Sequence, residues 1–146
     1  MKTSQKLSLA DFLSAVPEEH KNFVTKISEA MLKSGYKQKV ENKASGLYVT
    51  YNTPECKRVH LQFYFDKETL GMYLHPIFFN RQNGFLDGLP SCITSQMDLY
   101  RDCRHCNPNC YECKFTINGV NYRKCNYNRI SIEVNEESKK VLSVFQ

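Results

Sequence analysis

The chain has no run of 18 consecutive apolar residues, and the sequence therefore predicts no membrane-spanning helix. The lysines near its start, Lys2 and Lys6, are followed by no apolar segment of the kind that a secretory signal requires. We therefore expect a cytoplasmic protein. In that compartment cysteines stay reduced, and clustered cysteines bind metal or carry out redox chemistry more often than they form disulfides.

Recognisable catalytic motifs are missing as well. The sequence contains no G-x-S-x-G, no phosphate-binding glycine loop and no G-x-G-x-x-G. The histidines are scattered and form no His-x3-His pair: His20, His60, His75 and His105. These absences favour a non-enzymatic protein.

Length and composition predict one globular domain. The chain has 146 residues, of which 41% are hydrophobic and 24% charged, and this is enough to bury a core of its own. Its net charge of +5 permits weak attraction to nucleic acid without requiring it. Basic residues are densest around the cysteines, at Arg101, Arg104, His105, Lys114, Arg123, Lys124 and Arg129.

Hydrophobic periodicity predicts an α+β fold. Residues 9–34 have helical spacing, with Pro17 suited to the first turn of a second helix and Gly35 to its end. Residues 36–40, 46–51, 59–65 and 70–74 favour strands, which predicts an antiparallel meander packed on the N-terminal helices. Loop signals fill residues 80–90, and a short helix is expected at 91–100.

The C-terminal third predicts a hairpin, a strand and a helix. Asn118-Gly119 has type I′ turn chemistry between residues 115–117 and 120–122, residues 130–134 alternate as a strand, and Asn135 caps a helix from about Glu136. We therefore expect a single α+β domain over residues 1–146, with a mainly antiparallel sheet of about five or six strands. N-terminal and C-terminal helices pack on it, and a metal-binding loop and hairpin occupy about residues 103–127.

Five of the seven cysteines lie between positions 103 and 125, in the pattern C-x2-C-x3-C-x2-C followed later by a lone cysteine. Structural zinc is held by four ligands in a tetrahedron, and thiolate is its commonest donor. We predict one zinc ion bound by Cys103, Cys106, Cys110 and Cys125. Either Cys113 or His105 is an alternative for one of these four ligands.

Two other chemistries fit the cysteines less well. Cys106, Cys110 and Cys113 have the C-x3-C-x2-C spacing of radical S-adenosylmethionine enzymes, so an iron–sulfur cluster is the alternative cofactor, although the chain has no room for the barrel of those enzymes. Thiol redox chemistry lacks the βαβ context that a thioredoxin-like C-x2-C requires. The isolated Cys92 is expected to pack as a small buried residue, and Cys56 to lie in a turn.

Aromatic residues provide a second candidate site. Strand alternation predicts that His60 lies on the polar face of its strand, where the simplest expectation is a solvent-facing side chain. The alternative is a ligand pocket on one sheet face, lined by Tyr48, His60, Tyr64 and Tyr73.

Motifs in both halves of the chain resemble a family of small, uncharacterised, cysteine-rich proteins from anaerobic Gram-positive bacteria. They are Cys106-Asn-Pro-Asn-Cys110, Phe115-x-Ile117-x-Gly119-x-x-Tyr122-x-Lys124-Cys125-x-Tyr127, Phe12-Leu13-x-x-Val16-Pro17-Glu18-Glu19 and Ser45-Gly46-x-x-Val49-x-Tyr51. The resemblance implies that Cys106, Cys110 and Cys125 are the recurrent cysteines and that Cys125 is favoured over Cys113 as a ligand. The N-terminal half is loosely similar to α+β domains proposed as iron chaperones.

Taken together, the sequence predicts a zinc-binding, non-enzymatic binding module whose partner it does not identify. One alternative is a nucleic-acid-binding protein, because basic residues surround the cysteines and nine tyrosines and nine phenylalanines are available to stack on bases. The other is a small-ligand-binding protein or enzyme that uses the aromatic sheet face with His60.

Overall fold

The α+β fold is confirmed by a computed structural model that describes residues 7–81, 89–100, 112–125 and 129–145. The helices of this part are α1 (Leu9–Ala15), α2 (Glu18–Lys33), α3 (Pro76–Arg81), α4 (Ser91–Leu99) and a C-terminal 3₁₀ helix (Ser138–Phe145). The strands are β1 (Lys37–Lys43), β2 (Gly46–Thr53), β3 (Cys56–Asp66), β4 (Thr69–Leu74), β5 (Glu112–Ile117), β6 (Val120–Cys125) and β7 (Ile130–Glu133). Of the predicted metal-binding loop and hairpin at about residues 103–127, residues 103–111 and 126–127 lie outside the described residues.

The N-terminal helical segment is divided as the sequence predicts. Asp11 accepts a hydrogen bond from the backbone N–H of Ser8 at 2.8 Å, which caps the start of α1. Pro17 directly precedes α2, and Gly35 follows it with a φ of +90°, a conformation that glycine adopts without a steric penalty. In the described part of the chain, no helix is long and apolar enough to cross a membrane.

A five-stranded antiparallel sheet in the order β1-β2-β3-β4-β7 forms the body of the protein. Alternation along β3 buries Leu61 and Phe63 on one face. The ring of Phe63 lies 6.5 Å from that of Phe12 in α1 and 6.2 Å from that of Phe23 in α2. Both N-terminal helices therefore cover this face, and the opposite face carries Gln62 and Tyr64.

One polar cluster is buried between α2 and this sheet face. The Tyr51 hydroxyl donates to the Ser28 hydroxyl oxygen at 2.6 Å, and the Gln38 amide nitrogen lies 2.7 Å from Ser28 and 2.9 Å from Tyr51. Burial, partly offset by the Ser28 and Gln38 hydrogen bonds, raises the pKa of Tyr51 above its ordinary value. The cluster fixes the position of α2 on β1 and β2 because its buried polar atoms have partners.

The end of the sheet at β7 is closed by α4, which begins and ends close to its predicted limits. The Gln96 amide donates to the Ser131 carbonyl oxygen at 2.6 Å and its Oε1 accepts from the Ser131 N–H at 2.9 Å. Tyr100, directly after α4, donates from its hydroxyl to the Arg129 carbonyl oxygen. These contacts tie α4 to the chain on both sides of the start of β7.

The β5–β6 hairpin forms a separate two-stranded sheet. Its turn has φ of +50° at Asn118 and +80° at Gly119, as the predicted type I′ turn requires. One face buries Phe115, whose ring lies 5.6 Å from that of Tyr122 within the hairpin and 5.4 Å from that of Phe79 in α3. The hairpin is therefore packed against the body through aromatic contacts.

The predicted C-terminal helix is present as a 3₁₀ helix that begins at Ser138, and the Asn135 cap is confirmed. The Asn135 side-chain oxygen accepts from the Ser138 N–H at 2.9 Å. Lys139 donates from Nζ to the Glu19 carbonyl oxygen at 3.0 Å, and Val141 is buried. The segment thus packs against α2, on the same body as the N-terminal helices.

Candidate functional site

Of the cysteine-rich segment, the structure describes the hairpin cysteines Cys113 and Cys125. The other predicted zinc ligands, Cys103, Cys106 and Cys110, and the alternative ligand His105, lie outside the described residues. Cys113 is fully buried in β5, and Cys125 is 9% exposed at the end of β6. Within residues 7–81, 89–100, 112–125 and 129–145, no three His, Cys, Asp or Glu side chains converge on a site that holds a metal.

Strand register separates the two hairpin cysteines. Cys113 is opposite Lys124, and Cys125 is opposite Glu112. Since directly opposed residues share a face and neighbours along a strand alternate, Cys113 lies on the face of Phe115 and Tyr122. Cys125 lies on the other face, with Glu112. The two thiols therefore point to opposite sides of the hairpin.

Lys124 is an unusual member of the buried hairpin face because a lysine there is only 4% exposed. Its Nζ donates to the Tyr100 carbonyl oxygen at 2.6 Å and lies 5.7 Å from the centre of the Tyr122 ring. The Tyr122 hydroxyl in turn donates to Asp98 in α4 at 3.1 Å. These contacts attach the open end of the hairpin to the end of α4. Burial, with the Asp98 carboxylate adding to it, raises the pKa of Tyr122.

A second candidate surface, here called the tyrosine face, is the sheet surface that carries Tyr48, Tyr64 and Tyr73, opposite to the helices. Tyr48 and Tyr64 are directly opposed on β2 and β3, and Tyr73 lies on β4. The rings of Tyr64 and Tyr73 are stacked, with centres 4.6 Å apart and planes inclined by 24°. All three side chains are half-buried.

Gly71 makes room for the Tyr64 ring. Gly71 is opposite Tyr64 on β4, and a Cβ atom built on it would lie 2.0 Å from Cζ and 2.2 Å from the hydroxyl oxygen of Tyr64. The ring therefore lies down over the bare backbone of Gly71, where any side chain would displace it.

Arg129 covers the far side of the stack. Its guanidinium carbon lies 3.8 Å from the centre of the Tyr73 ring, a cation–π contact that follows Tyr64 and Tyr73 in line. Desolvation raises the pKa of Tyr73, although the Arg129 charge opposes this effect. At the other end of the face, Lys43 Nζ lies 5.1 Å from the Tyr48 ring centre.

The structure brings Tyr48, Tyr64 and Tyr73 onto one face but does not leave His60 at the surface. His60 is fully buried, and its ring makes an edge-to-face contact with Tyr36 at 5.1 Å. The expectation of a solvent-facing His60 is therefore wrong. The reason is that β2 and β3 change register between Tyr51 and Thr53, so strict alternation cannot be extended from Tyr64 back to His60.

The isolated cysteines differ somewhat from expectation. Cys56 is the first residue of β3, directly after the turn in which it was expected. Cys92 is half-buried in α4 and packs against the core, and desolvation raises the pKa of its thiol. A raised pKa keeps the thiol protonated at neutral pH, so this cysteine is not activated for nucleophilic chemistry.

Sequence inspection did not identify the roles of Gly71, Arg129 and Lys124. A signal existed for Gly71, since a glycine within an alternating strand indicates a close approach by another group. The sequence marks Arg129 and Lys124 only as basic residues near the cysteines. Their contacts depend on the position of the C-terminal end of α4, which no local pattern encodes.

Comparisons with known proteins give no relative: no family model matches the chain, and neither a curated protein nor a solved structure is significantly similar to it.

Proposed function

We propose that the protein is a cytoplasmic, non-enzymatic binding module in which a structural zinc ion joins residues 103–110 to the open end of the β5–β6 hairpin. The proposed ligands are Cys103, Cys106, Cys110 and Cys125. Membership of the family of small cysteine-rich proteins that the sequence resembles is part of the same proposal. A site closed by four thiolates leaves no coordination position for a reacting group, which is why the proposed role is binding.

The observation that carries this proposal is the separation of Cys113 and Cys125 on opposite hairpin faces. Cys113 is fully buried beside Phe115 in the aromatic packing of the hairpin. Cys125 shares its face with Glu112, and Glu112 follows Cys110 by two residues in the chain. Covalent geometry therefore keeps Cys110 within two peptide units of the residue opposite Cys125. This arrangement supports Cys125 as the distant ligand and Cys113 as a packing residue.

Elemental analysis of the purified full-length protein tests the metal directly. We expect one zinc per chain, bound tightly enough to survive desalting. Iron accompanied by visible absorbance would show that the cofactor is the alternative iron–sulfur cluster and not zinc. A folded protein without metal would contradict the proposal.

Single substitutions test the ligand set. Cys125→Ser removes a thiolate and is expected to abolish stoichiometric zinc, whereas Cys113→Ser is expected to retain it. Cys92→Ser, in α4 and outside the cysteine cluster, is the matched control for the loss of a half-buried thiol. Retention of zinc by Cys125→Ser together with its loss from Cys113→Ser would reverse the assignment of the two hairpin cysteines.

A further inference from the structure

We propose that the outer face of the β5–β6 hairpin binds the phosphoryl group of a small phosphate ester. Strand pairing assigns to this face Glu112, Lys114, Thr116, Asn121, Arg123 and Cys125. The proposal names a ligand class for the binding module and rests on that role, but the side chains that it uses are not proposed zinc ligands. Three features carry it: an opposed pair of cations, an amide beside them, and a cavity that these side chains line.

The two cations of the outer face are Lys114 and Arg123, which are directly opposite each other in the paired strands. Like charges in this position destabilise a sheet. Among the strand pairs that the structure describes, no other places two charges of the same sign opposite each other. A local arrangement that lowers stability is typical of a functional site, and an anion bound between the two side chains would offset their repulsion.

Glu112 neutralises part of this positive charge. It lies one residue pair nearer to the open end of the hairpin, and its two carboxylate oxygens are 3.5 Å from Lys114 Nζ and 2.9 Å from Arg123 Nη2. Two cations therefore stand against one carboxylate in the described part of this face. The side chains of Lys114 and Arg123 are still 70% and 54% exposed, and an arginine has five N–H donors, so Glu112 does not use all the donors that the two cations offer.

The next residue pair toward the turn adds a hydrogen-bond donor and no charge. Thr116 is opposite Asn121, and the Thr116 hydroxyl donates to the Asn121 side-chain oxygen at 2.7 Å. Because this oxygen accepts from Thr116, the amide nitrogen of Asn121 is the part of the side chain that can donate to a ligand. Cations and an amide donor are thus neighbours on the outer face.

A cavity of about 400 Å³ lies at this point of the hairpin, and its lining consists of Lys114, Phe115, Thr116, Asn121, Tyr122 and Arg123. Glu112 is not part of the lining, so a ligand in the cavity meets the two cations without their carboxylate partner. The volume is within the range of small-molecule sites and is larger than a bare phosphate ion fills. The cavity therefore has room for the organic part of an ester.

A phosphoryl group fits these donors better than other ligands do. It presents three acceptor oxygens, which match the ammonium of Lys114, the guanidinium of Arg123 and the amide of Asn121. A carboxylate has only two oxygens for the same three donors. An uncharged ligand would leave the repulsion between Lys114 and Arg123 unchanged.

Titration of the full-length protein with inorganic phosphate, followed by amide NMR spectra at constant ionic strength, tests the site. We expect saturable shifts in the amides of residues 114–116 and 121–123, and acetate is expected to bind at least several-fold more weakly. Phenyl phosphate, which carries an organic group on the same anion, is expected to bind at least as tightly as inorganic phosphate. Shifts that do not saturate, shifts that acetate reproduces, or weaker binding of phenyl phosphate would overturn the proposal.

Three variants test the residues of the site. Arg123→Gln is expected to weaken phosphate binding roughly 10- to 150-fold, the range for losing a hydrogen bond to a charged group. Lys114→Gln is expected to have a similar effect without lowering the unfolding temperature, because it also removes the repulsion across the hairpin. Lys39→Gln removes an exposed, ion-paired lysine from the other sheet and should bind like the wild type. Unchanged affinity of Arg123→Gln and Lys114→Gln in folded proteins would contradict the site.

The outcome is separable from that of the zinc experiment. A protein that holds zinc and shows no saturable phosphate binding would overturn the phosphate site and leave the metal centre standing. Saturable binding by a protein without zinc would support the site and contradict the proposed metal. Oligouridylate that shifts the same amides at a lower concentration of phosphate groups than phenyl phosphate would overturn the assignment to a small ester in favour of a nucleic acid.

Discussion

The five-stranded body and the β5–β6 hairpin differ in the interactions that stabilise them. The body buries large apolar side chains from two layers, with Phe12, Ile27, Phe63 and Met72 all fully excluded from solvent. The hairpin has only two strands, and its buried face holds a thiol and a lysine beside Phe115 and Tyr122. A two-stranded sheet is marginal in water unless other elements support it.

This difference teaches where each region obtains its stability. The body is stabilised by its own apolar core. The hairpin depends on tertiary contacts with residues outside it, namely Phe79 of α3, Asp98 of α4 and the carbonyl oxygen of Tyr100. We therefore expect the hairpin to open locally at lower cost than the body unfolds. A metal bound at Cys125 would add a further contact of this kind at the open end of the hairpin, opposite its turn.

The largest effect is expected from Phe63→Ala in the body. The substitution leaves a cavity between β3 and both N-terminal helices, and the cost of such a change is about 3–5 kcal/mol. Urea denaturation should show a lower midpoint for the whole protein by every probe. Faster amide hydrogen exchange confined to β3 would contradict the expectation that the five-stranded body unfolds as one cooperative unit.

Phe115→Ala makes the same chemical change in the hairpin and is the matched comparison. Its local cost is expected to be roughly 3 kcal/mol, because the ring contacts both Tyr122 and Phe79. Native-state hydrogen exchange should show faster exchange in β5 and β6 with little change in β2 and β3. If the two phenylalanine variants lower the stability of every strand equally, the hairpin and the body are one cooperative unit.

A smaller effect is expected from Tyr51→Phe, which removes one hydroxyl from the buried cluster with Ser28 and Gln38. The expected cost is about 1–3 kcal/mol, since the two remaining polar groups lose a buried partner. Chemical denaturation at neutral pH measures it. Ser14→Ala, which removes an exposed hydroxyl from α1, is the control and should change little.

Tyr51 also gives an expected pH dependence of the protein's stability. The ordinary pKa of a tyrosine is 10.0, and burial raises the pKa of Tyr51 in the folded state. Below pH 10 both states are protonated and the stability is fully present; as pH rises further the unfolded state ionises first, so the folded state loses stability. Tyr51→Phe should therefore reduce the alkaline loss. An alkaline slope identical in both proteins would contradict the raised pKa.

The smallest effects are expected from Gly119→Ala and Gly35→Ala, which impose a similar strain in the two regions. The φ angles are +80° at Gly119 and +90° at Gly35, and no atom beyond the adjacent residues lies within 4 Å of either added methyl group. Each change should cost about 1 kcal/mol from backbone strain alone. Hydrogen exchange should place the loss in the hairpin for Gly119→Ala and across the body for Gly35→Ala.

Much of the body could be predicted from sequence because its strands alternate cleanly. In β3, Leu61 and Phe63 against Gln62 and Tyr64 give both the strand and its faces. The short helix α3 could not be predicted in this way: Ile77, Phe78 and Phe79 are all buried, so a consecutive apolar run has no polar side to give a helical period.

The residues of the candidate sites could be predicted where they lie in regularly paired strands, and not elsewhere. Alternation alone placed Tyr48, Tyr64 and Tyr73 on one face, because each lies in a regularly paired stretch. It failed for His60, which lies beside an irregularity in strand pairing that leaves no clear mark in composition. The position of Arg129 over Tyr73 depends on a hydrogen bond from Tyr100 to its backbone, which is a long-range contact that no local pattern encodes.

The Gln96 side chain has a consequence for how copies of this protein behave together. It occupies the outward N–H and C=O of Ser131 on β7, the last strand of the sheet. An uncovered strand edge recruits strands from other molecules and seeds aggregation. The Gln96 amide thus takes the place of an additional strand at that position. Gln96→Leu would expose the N–H and C=O of Ser131, and at high protein concentration intermolecular β-pairing would begin there.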